Sequence, residues 1–356
     1  MSSPVRRGPT RDTLLVAPRG TPVSFRISRS SVLLTVLAGV AAVAVATASL
    51  VLGVYPISVS DAVTIVGGGG TLIEREVVLG DRLPRALTGL GVGAAFALSG
   101  AILQRIAANP LVSPDIIGIN SGAAMGALTV LLVVGGSGLQ LVFGALAGAV
   151  LAALMIVLIA YRRGLHGFRL VLVGIGVAAM LSSAISYLLT RSDIHRAMSA
   201  AAWLTGSLAN RSGLHVTIIV IALAATVPVL IVESRHLRLL ELGDDLTRTL
   251  TGAGQGRKVL LLLIAVVLAA MATAAAGPIG FVALVAPQIT RRILAERQIG
   301  LAPSAAVGAL LVVGADLAGR SIFAPSEMPV GVLTAILGAP VLLYLLARAH
   351  RIGAAG

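Results

Sequence analysis

The chain has 356 residues, of which 57 % are hydrophobic and 12 % charged, against about 25 % charged in ordinary soluble domains. So much apolar surface cannot be buried inside one water-soluble globule of this length, so the composition predicts several membrane-spanning helices. The formal net charge is +13, but aromatic residues make up only 3 %, too few for the stacking surfaces of a nucleic-acid binder. The absence of cysteine excludes disulfides, thiolate metal sites and cysteine nucleophiles.

An arginine-rich segment, residues 1–30, comes first and is predicted to be a tail outside the membrane. The first apolar run, about Val32 to Val54, is longer than the core of a signal peptide, so we interpret it as a retained transmembrane helix. Nine further apolar runs predict spans at 83–106, 114–134, 139–160, 168–190, 214–232, 258–276, 277–293, 301–323 and 328–347. The sequence therefore predicts an all-α integral membrane protein whose ten-helix domain occupies residues 31–350.

The distribution of basic residues gives these ten helices an orientation. If both termini are cytoplasmic, 20 of the 27 Lys and Arg residues lie in cytoplasmic segments and 7 in external ones. Such an excess is typical of the cytoplasmic side of multi-span proteins. We therefore expect both termini in the cytoplasm and most of the net charge on that side.

Small residues recur at four-residue spacing on the predicted helices, a pattern that lets helix backbones approach closely in lipid. The pairs are Gly89/Gly93, Gly122/Gly126, Gly144/Gly148 and Gly314/Ala318. A chain rich in alanine and glycine also yields such pairs by chance, so both interpretations stay open.

Motifs of catalysis and of tight ligand binding are missing from the sequence. The segment nearest to a phosphate-binding loop, Gly252–Lys258, lacks the Gly-Lys pair and the following Ser or Thr. The five histidines are scattered, and no H-E-x-x-H or G-x-S-x-G motif occurs. We predict no catalytic residues, no metal site and no tightly bound cofactor, and a protein that is not an enzyme.

The longest predicted cytoplasmic loop, near residues 235–257, has a helical apolar pattern. Leucines recur at three- and four-residue spacing with charged residues between them, which favours a short amphipathic helix that docks into a groove of a cytoplasmic partner. The residues of this pattern are Leu239, Leu242, Gly243, Asp244, Asp245, Leu246, Arg248 and Leu250. The alternative is a helix lying on the lipid surface, although lipid-surface helices are usually more basic.

Asp316 is the carboxylate that the sequence places inside a span, and an intramembrane carboxylate is a functional candidate by default. Arg320 follows one turn later on the same helix, at the spacing of an ion pair. We therefore expect an intrahelical pair of Asp316 with Arg320 near the outer surface, with a proton relay as the alternative.

Several motifs together resemble the FecCD family of permease subunits. They are Arg82-Leu-Pro-Arg85, Gly93-Ala-Ala-Phe-Ala-Leu-Ser-Gly100, Asn109-Pro-Leu-Val-Ser-Pro114, Gly118-Ile-Asn-Ser-Gly-Ala123, Trp203-Leu-Thr-Gly-Ser-Leu208, Leu242-Gly-Asp244, Gly277-Pro-Ile-Gly-Phe-Val282, Ala315-Asp316 and Pro329-Val-Gly-Val-Leu-Thr-Ala335. The resemblance covers about residues 50–347 in the family's order. It implies the ten-helix bundle of a type II ABC importer permease, working with a second permease subunit, two cytoplasmic ATPases and an extracytoplasmic solute-binding protein.

The resemblance also implies roles for particular residues. Arg82, Arg85 and Arg320 would form an external pocket for a carboxylate of the binding protein, although each arginine alone could be an interfacial anchor. The leucine-rich loop would be the coupling segment to the ATPases. Residues that would line the gate and the pathway are Asn109, Leu111, Gly167, Phe168, Ser182, Ser183 and Ser186, although the hydroxyls could equally hold helices together.

The chain departs from the family's pattern at two places. Gln288 stands where relatives commonly have histidine, which removes titration from that position. Gly167-Phe168 stands where small hydroxyl residues are common, which affects one side of the gate.

The sequence therefore predicts the permease of an ATP-driven importer of a ferric siderophore or related iron complex, in a bacterial cytoplasmic membrane. Haem or cobalamin import is the first alternative. An ion-coupled secondary transporter, or a scaffold or receptor that transports nothing, remains as a further class. The pairing of permease subunits could be homodimeric or heterodimeric.

Overall fold

The computed structural model describes residues 13–16, 25–53, 55–161, 167–240, 255–294, 300–323 and 326–353. Helices dominate these residues, in the order α1 Arg29–Val51, α2 Val59–Val66, α3 Leu72–Ile106, α4 Pro114–Ile117, α5 Ile119–Val134, α6 Leu139–Ala160, α7 Gly167–Arg191, α8 Ile194–Leu204, α9 Gly213–Leu240, α10 Gln255–Ala276, α11 Val282–Ile293, α12 Leu301–Ile322 and α13 Val330–Gly353. Every predicted span coincides with at least one of them.

The membrane-crossing helices differ in length from the predicted spans. Among the described residues, seven helices are long and apolar enough to cross a membrane by length and composition, and α3 with 35 residues is one of them. The 12 residues of α11 span about 18 Å, well short of a hydrocarbon core of about 30 Å. The predicted span 277–293 is therefore a half-length helix.

The predicted span 114–134 is broken close to its start. Gly118 separates α4 from α5 and has a φ of 92°, in the left-handed region that glycine enters without a steric penalty. The helix resumes at Ile119 and ends in a π-helical turn over Thr129–Val134. The apolar run thus predicts the position of the span but not its interruption.

A small β-hairpin precedes the bundle, which the sequence did not predict. Strands β1 (Thr13–Val16) and β2 (Phe25–Ser28) pair antiparallel, with Thr13 opposite Ser28. The hairpin lies within the arginine-rich segment and leads directly into α1.

Helix α3 lies at the centre of the bundle. It packs against α9, α10, α11 and α12, and Phe96, Ile102 and Leu103 are fully buried. Gly93 faces the backbone of Gly308 on α12 so closely that no side chain fits there. Antiparallel packing of α3 on α12 therefore brings the start of α3 beside the end of α12.

The small-residue pattern is confirmed at the interface of α5 with α6. Gly122 and Gly126 lie directly against the backbone of Gly144 and Gly148, as helix association through small residues requires. For Gly314 the close-packing interpretation is wrong among the described residues, because a side chain added there would meet no atom within 4 Å.

Candidate functional site

The three arginines predicted to bind a partner carboxylate lie together at one end of the bundle. Arg82 and Arg85 stand where α3 changes from a π-helical turn over Glu76–Arg82 to a regular α-helix. Arg320 lies in the last turn of α12. We call this end of the bundle the arginine end; the structure brings the three predicted residues to it.

Arg85 contacts two carboxylates, and each of its three guanidinium nitrogens donates to one of them. Its Nε donates to both carboxylate oxygens of Asp316 at 3.1 Å, and its Nη2 donates to Oδ1 at 2.9 Å. Its Nη1 donates to Oε2 of Glu327 at 2.8 Å. A two-point contact of this kind between guanidinium and carboxylate is among the strongest hydrogen-bonded ion pairs in proteins.

The expected pairing of Asp316 with Arg320 is therefore secondary. Arg320 Nε lies 3.6 Å from Oδ2 of Asp316, farther than any of the Arg85 contacts. The principal partner of Asp316 is on a different helix, because the antiparallel packing of α3 on α12 brings Arg85 alongside it. The intrahelical ion pair exists, but it is the weaker half of a three-residue cluster.

Arg82 and Arg320 also hold the end of α1. Arg82 donates from Nη1 to the carbonyls of Leu50 (2.8 Å) and Val51 (3.2 Å), and from Nη2 to Tyr55 (2.7 Å). Arg320 donates from Nη2 to the carbonyl of Ser49 at 3.1 Å. The last carbonyls of a helix lack intrahelical donors and carry partial negative charge, so cations there are stabilising. Both arginines act as caps of α1.

A fourth arginine, Arg211, is close enough to Arg85 for their charges to interact, which the sequence did not predict. Arg211 lies in the segment between α8 and α9 and donates from Nε to the carbonyl of Ser207 at 3.1 Å. Burial lowers the pKa of its guanidinium below the usual value, and the positive charge of Arg85 lowers that pKa further. Its place between two predicted spans was the available signal, and nothing local indicated which residues it would lie near.

The two carboxylates of the cluster, Asp316 and Glu327, differ in how far they are exposed to solvent. The side chains of Arg85 and Asp316 are each 7 % exposed, whereas that of Glu327 is 48 % exposed. Glu327 precedes α13 and reaches Arg85 from the open side. A carboxylate approaching from solution therefore meets Glu327 before it meets the arginines.

A second polar cluster lies at the opposite end of α3, and we call this end the glutamine end. Gln288 of α11 donates from Nε2 to Oε1 of Gln104 at 2.6 Å and to the carbonyl of Pro110 at 3.2 Å. Gln104 donates in turn to the carbonyl of Leu284 at 3.3 Å. Both glutamines are 2 % exposed. The amide pair joins α3, α11 and the segment after α3 without any formal charge.

The predicted gate residues lie in or beside that segment. Asn109 accepts a hydrogen bond from the backbone of Leu111 at 3.0 Å, in a turn where Ala108 has a φ of 48°. Gly167 at the start of α7 packs on the backbone of Ala107 with no room for a side chain. The structure therefore brings Asn109, Leu111 and Gly167 together, while Phe168 points away and is 82 % exposed.

The chain is similar in sequence to known transport proteins. Residues 40–348 match the FecCD transport family. The ferric enterobactin transport system permease protein FepG of Escherichia coli (strain K12) is 38 % identical over 275 residues, 76 % of this chain and 82 % of the relative. The iron(3+)-hydroxamate import system permease protein FhuG of Bacillus subtilis (strain 168) is 37 % identical over 315 residues, 85 % of this chain and 93 % of the relative.

A solved structure shows a similar fold. A transporter assigned to the metal-chelate type of ABC transporters, in an inward-facing conformation, superposes with a TM-score of 0.76 at 29 % identity, covering 89 % of this chain and 99 % of that chain. This chain belongs to the FecCD transport family. It is a multi-pass, non-catalytic ABC permease subunit with the helical bundle of a type II importer.

The predicted pathway serines of this FecCD permease lie far from the loop after α3. Ser182, Ser183 and Ser186 are exposed on α7, and Ser182 is about 22 Å along the helix from Gly167. Ser183 and Ser186 donate to carbonyls four residues earlier on their own helix, at 3.0 Å each. Neither of these two bonds holds two helices together, which leaves this hydroxyl-bearing face of α7 open.

The coupling residues are only partly described. Leu239 lies in the last turn of α9 and is half-buried. The others, Leu242, Gly243, Asp244, Asp245, Leu246, Arg248 and Leu250, lie outside the described residues. The coupling role of this segment stays a prediction.

Asp115 is a buried polar residue that sequence reasoning missed. It stands in the first turn of α4, and its Oδ1 and the hydroxyl of Ser113 are buried without a hydrogen-bond partner among the described residues. Its Oδ2 lies close to Gly280, just before α11. Among the described residues, no group of three His, Cys, Asp or Glu side chains could hold a metal ion.

Proposed function

We propose that this FecCD permease imports a ferric siderophore across a bacterial cytoplasmic membrane, driven by ATP hydrolysis in partner subunits. The observation that carries the substrate class is the similarity over most of the chain to permeases of ferric enterobactin and iron(3+)-hydroxamate systems. Haem or cobalamin import remains the alternative, because the solute-binding protein selects the ligand.

The permease supplies a passage whose two ends carry different polar clusters. Arg85 and Gln104 are 19 residues apart on α3, about 28 Å, which is close to the thickness of a hydrocarbon core. We assign the arginine end to the outer surface, where it receives the binding protein, and the glutamine end to the cytoplasmic surface. The excess of basic residues in the segments assigned to the cytoplasm supports this orientation and cytoplasmic termini.

A second permease subunit would complete the passage. The exposed face of α7 carries Ser182, Ser183 and Ser186, and hydroxyls are poorly placed against lipid tails when a partner helix or a water-filled passage is available. We propose that this face lines the pathway between two copies of this chain or between this chain and a related permease.

Reconstitution tests the proposed function. The permease, its ATPases and its solute-binding protein are placed in proteoliposomes, and uptake of radioactive ferric enterobactin, a ferric hydroxamate, haem and cobalamin is compared. ATP-dependent uptake of a ferric siderophore supports the proposal. Uptake that continues without ATP and collapses with a protonophore contradicts it, and a preference for haem or cobalamin overturns the substrate assignment.

The coupling segment has its own test. Asp244→Ala combined with Leu246→Ala is expected to abolish ligand-stimulated ATPase activity, because a docking helix loses its apolar and charged contacts together. Unfolding of the permease, measured in parallel, should be unchanged. Retained stimulation would mean that the ATPases dock elsewhere.

A further inference from the structure

Arg85, one of the three arginines assigned to docking, already has a carboxylate bound to it that is open to solution. Arg85 donates through Nε and Nη2 to Asp316, and through Nη1 to Glu327 at 2.8 Å. Only 7 % of the Arg85 side chain is exposed, and its Nη1 already contacts Glu327. A partner carboxylate that binds Nη1 in the same position therefore has to take the place of Glu327.

The two carboxylates are not equally replaceable. Asp316 is 7 % exposed, accepts two donors of Arg85 and lies within ion-pair distance of Arg320. Glu327 is 48 % exposed and contacts Arg85 through one oxygen. Exposed ion pairs are weak because water competes for both partners, whereas a buried pair is costly to break. Glu327 is the member of the cluster that can leave.

We propose that Glu327 is an internal occupant of the docking pocket, which a carboxylate of the solute-binding protein displaces from Arg85. The inference rests on the proposed function, because it assumes that the binding protein docks at the arginine end. The exchange keeps one carboxylate on Nη1 at all times, so the cluster does not gain an uncompensated positive charge in the docked state.

Displacement of Glu327 would be transmitted to α13. Glu327 lies three residues before Val330, where α13 begins, and Met328 donates its backbone N–H to the carbonyl of Gly319 at 3.2 Å. Gly331 donates to the carbonyl of Gly206 at 3.0 Å. Movement of Glu327 therefore acts on a short segment tied both to the end of α12 and to the turn before α9. Docking would alter the start of the last helix directly.

The affinity of the permease for the solute-binding protein shows whether Glu327 competes with the partner carboxylate or supports the docking pocket. The permease–ATPase complex is placed in nanodiscs, and the dissociation constant for its own ferric-siderophore-loaded solute-binding protein is measured by interferometry. Glu327→Gln and Glu327→Ala should each tighten binding roughly fivefold, because the competing charge is gone. If Glu327 instead orients Arg85 for docking, both substitutions weaken binding.

Glu76→Gln is the matched control. Glu76 is an exposed carboxylate in the first part of α3, at the same end of the bundle, and it lies beside Gly80. This variant removes the same charge, so it reports the general attraction of the surface for an acidic partner. An equal gain in affinity for Glu76→Gln and Glu327→Gln overturns the proposal. Absence of binding by the unsubstituted permease overturns the docking assignment itself.

A spin label provides a readout that does not depend on affinity. Because the chain has no cysteine, Ser326→Cys creates a unique labelling site next to Glu327. The label should become more mobile when the binding protein docks on the otherwise unsubstituted permease. With Glu327→Gln it should already be mobile before docking. A label whose mobility is the same before and after docking contradicts displacement of this segment.

Discussion

Helix α3 carries two buried polar clusters, one at Arg85 and one at Gln104. The first is charged and the second is neutral. At the arginine end, Arg85 is held by Asp316 and Glu327 with full charges on every partner. At the glutamine end, the neutral amide of Gln288 donates one hydrogen bond to that of Gln104. Both clusters connect α3 to another helix. They are about 28 Å apart along α3, which is close to the thickness of a hydrocarbon core.

This difference in charge favours a different role for each cluster. A charged cluster attracts a charged partner from a distance and can exchange one carboxylate for another, so it suits recognition. A buried amide pair has no field at long range and gains its strength from the donors that it satisfies, so it suits holding a loop in one position. Under the proposed orientation, the arginine end binds a partner from outside the cell. The glutamine end holds the segment that carries Asn109 and Leu111.

The largest expected effect is at the buried carboxylate of the arginine end. Asp316→Asn leaves the positive charge of Arg85 in a site that is 7 % exposed, with Glu327 as its remaining counter-ion. Breaking a buried pair in this way costs about 3–5 kcal/mol of unfolding free energy. Thermal unfolding of the permease in nanodiscs measures the loss, with Glu76→Gln as the control. Equal melting temperatures for the two variants would show that Asp316 is not the counter-ion of Arg85.

The next effect is at the glutamine end. Gln288→Leu leaves Oε1 of Gln104 and the carbonyl of Pro110 without a donor, at a cost of about 1–3 kcal/mol. The loop after α3, which carries Leu111, should also become more mobile. Single-cysteine labelling at Leu111→Cys with a membrane-impermeant thiol reagent should accelerate by about tenfold.

The control for that variant is a change on the same helix. Thr290→Val removes a buried hydroxyl that bonds within α11, to the carbonyl of Ala286 at 2.9 Å. It should leave the labelling rate at position 111 unchanged. Equal acceleration in both variants would mean that α11 as a whole is disturbed, and that the amide pair does not hold the loop.

Sequence reasoning located the helices and the polar residues but not their partners. Apolar runs are a local property, so they indicated where α1, α6 or α12 lies. Arg85 and Asp316 are separated by 231 positions, and Gln104 and Gln288 by 184. The i,i+4 spacing applies within one helix, so it predicted the pair of Asp316 with Arg320. It could not predict the closer contact of Asp316 with Arg85 of α3.

Departures from regular helix geometry were likewise invisible in the hydropathy pattern. The break at Gly118 and the half-length α11 depend on packing between segments, such as the approach of Asp115 to Gly280, just before α11. A glycine in an apolar run can continue a helix or interrupt it. Only the tertiary contacts decide which occurs.

A smaller effect is expected where Arg82 caps α1. Arg82→Lys keeps the charge but replaces a planar fork by one ammonium group, which cannot reach Leu50, Val51 and Tyr55 together. The expected loss is about 1 kcal/mol of unfolding free energy. Arg75→Lys, in the first turn of the same helix, is the control in the unfolding assay. A loss as large as that of Asp316→Asn would mean that the three carbonyl contacts of Arg82 stabilise the end of α1 far more than ordinary hydrogen bonds do.

The smallest effect on stability is expected at the exposed carboxylate of the same arginine. Glu327→Gln removes a charge that is 48 % exposed, and such pairs contribute less than about 1 kcal/mol to the unfolding free energy. Asp316→Asn and Glu327→Gln thus change carboxylates on one guanidinium with the same chemistry and differ in burial. If unfolding shows equal losses, both carboxylates hold the fold, and the arginine end is then as fixed as the glutamine end. If Glu327→Gln unfolds like the unsubstituted permease, the arginine end contains one carboxylate that holds the bundle and one that is free to be exchanged.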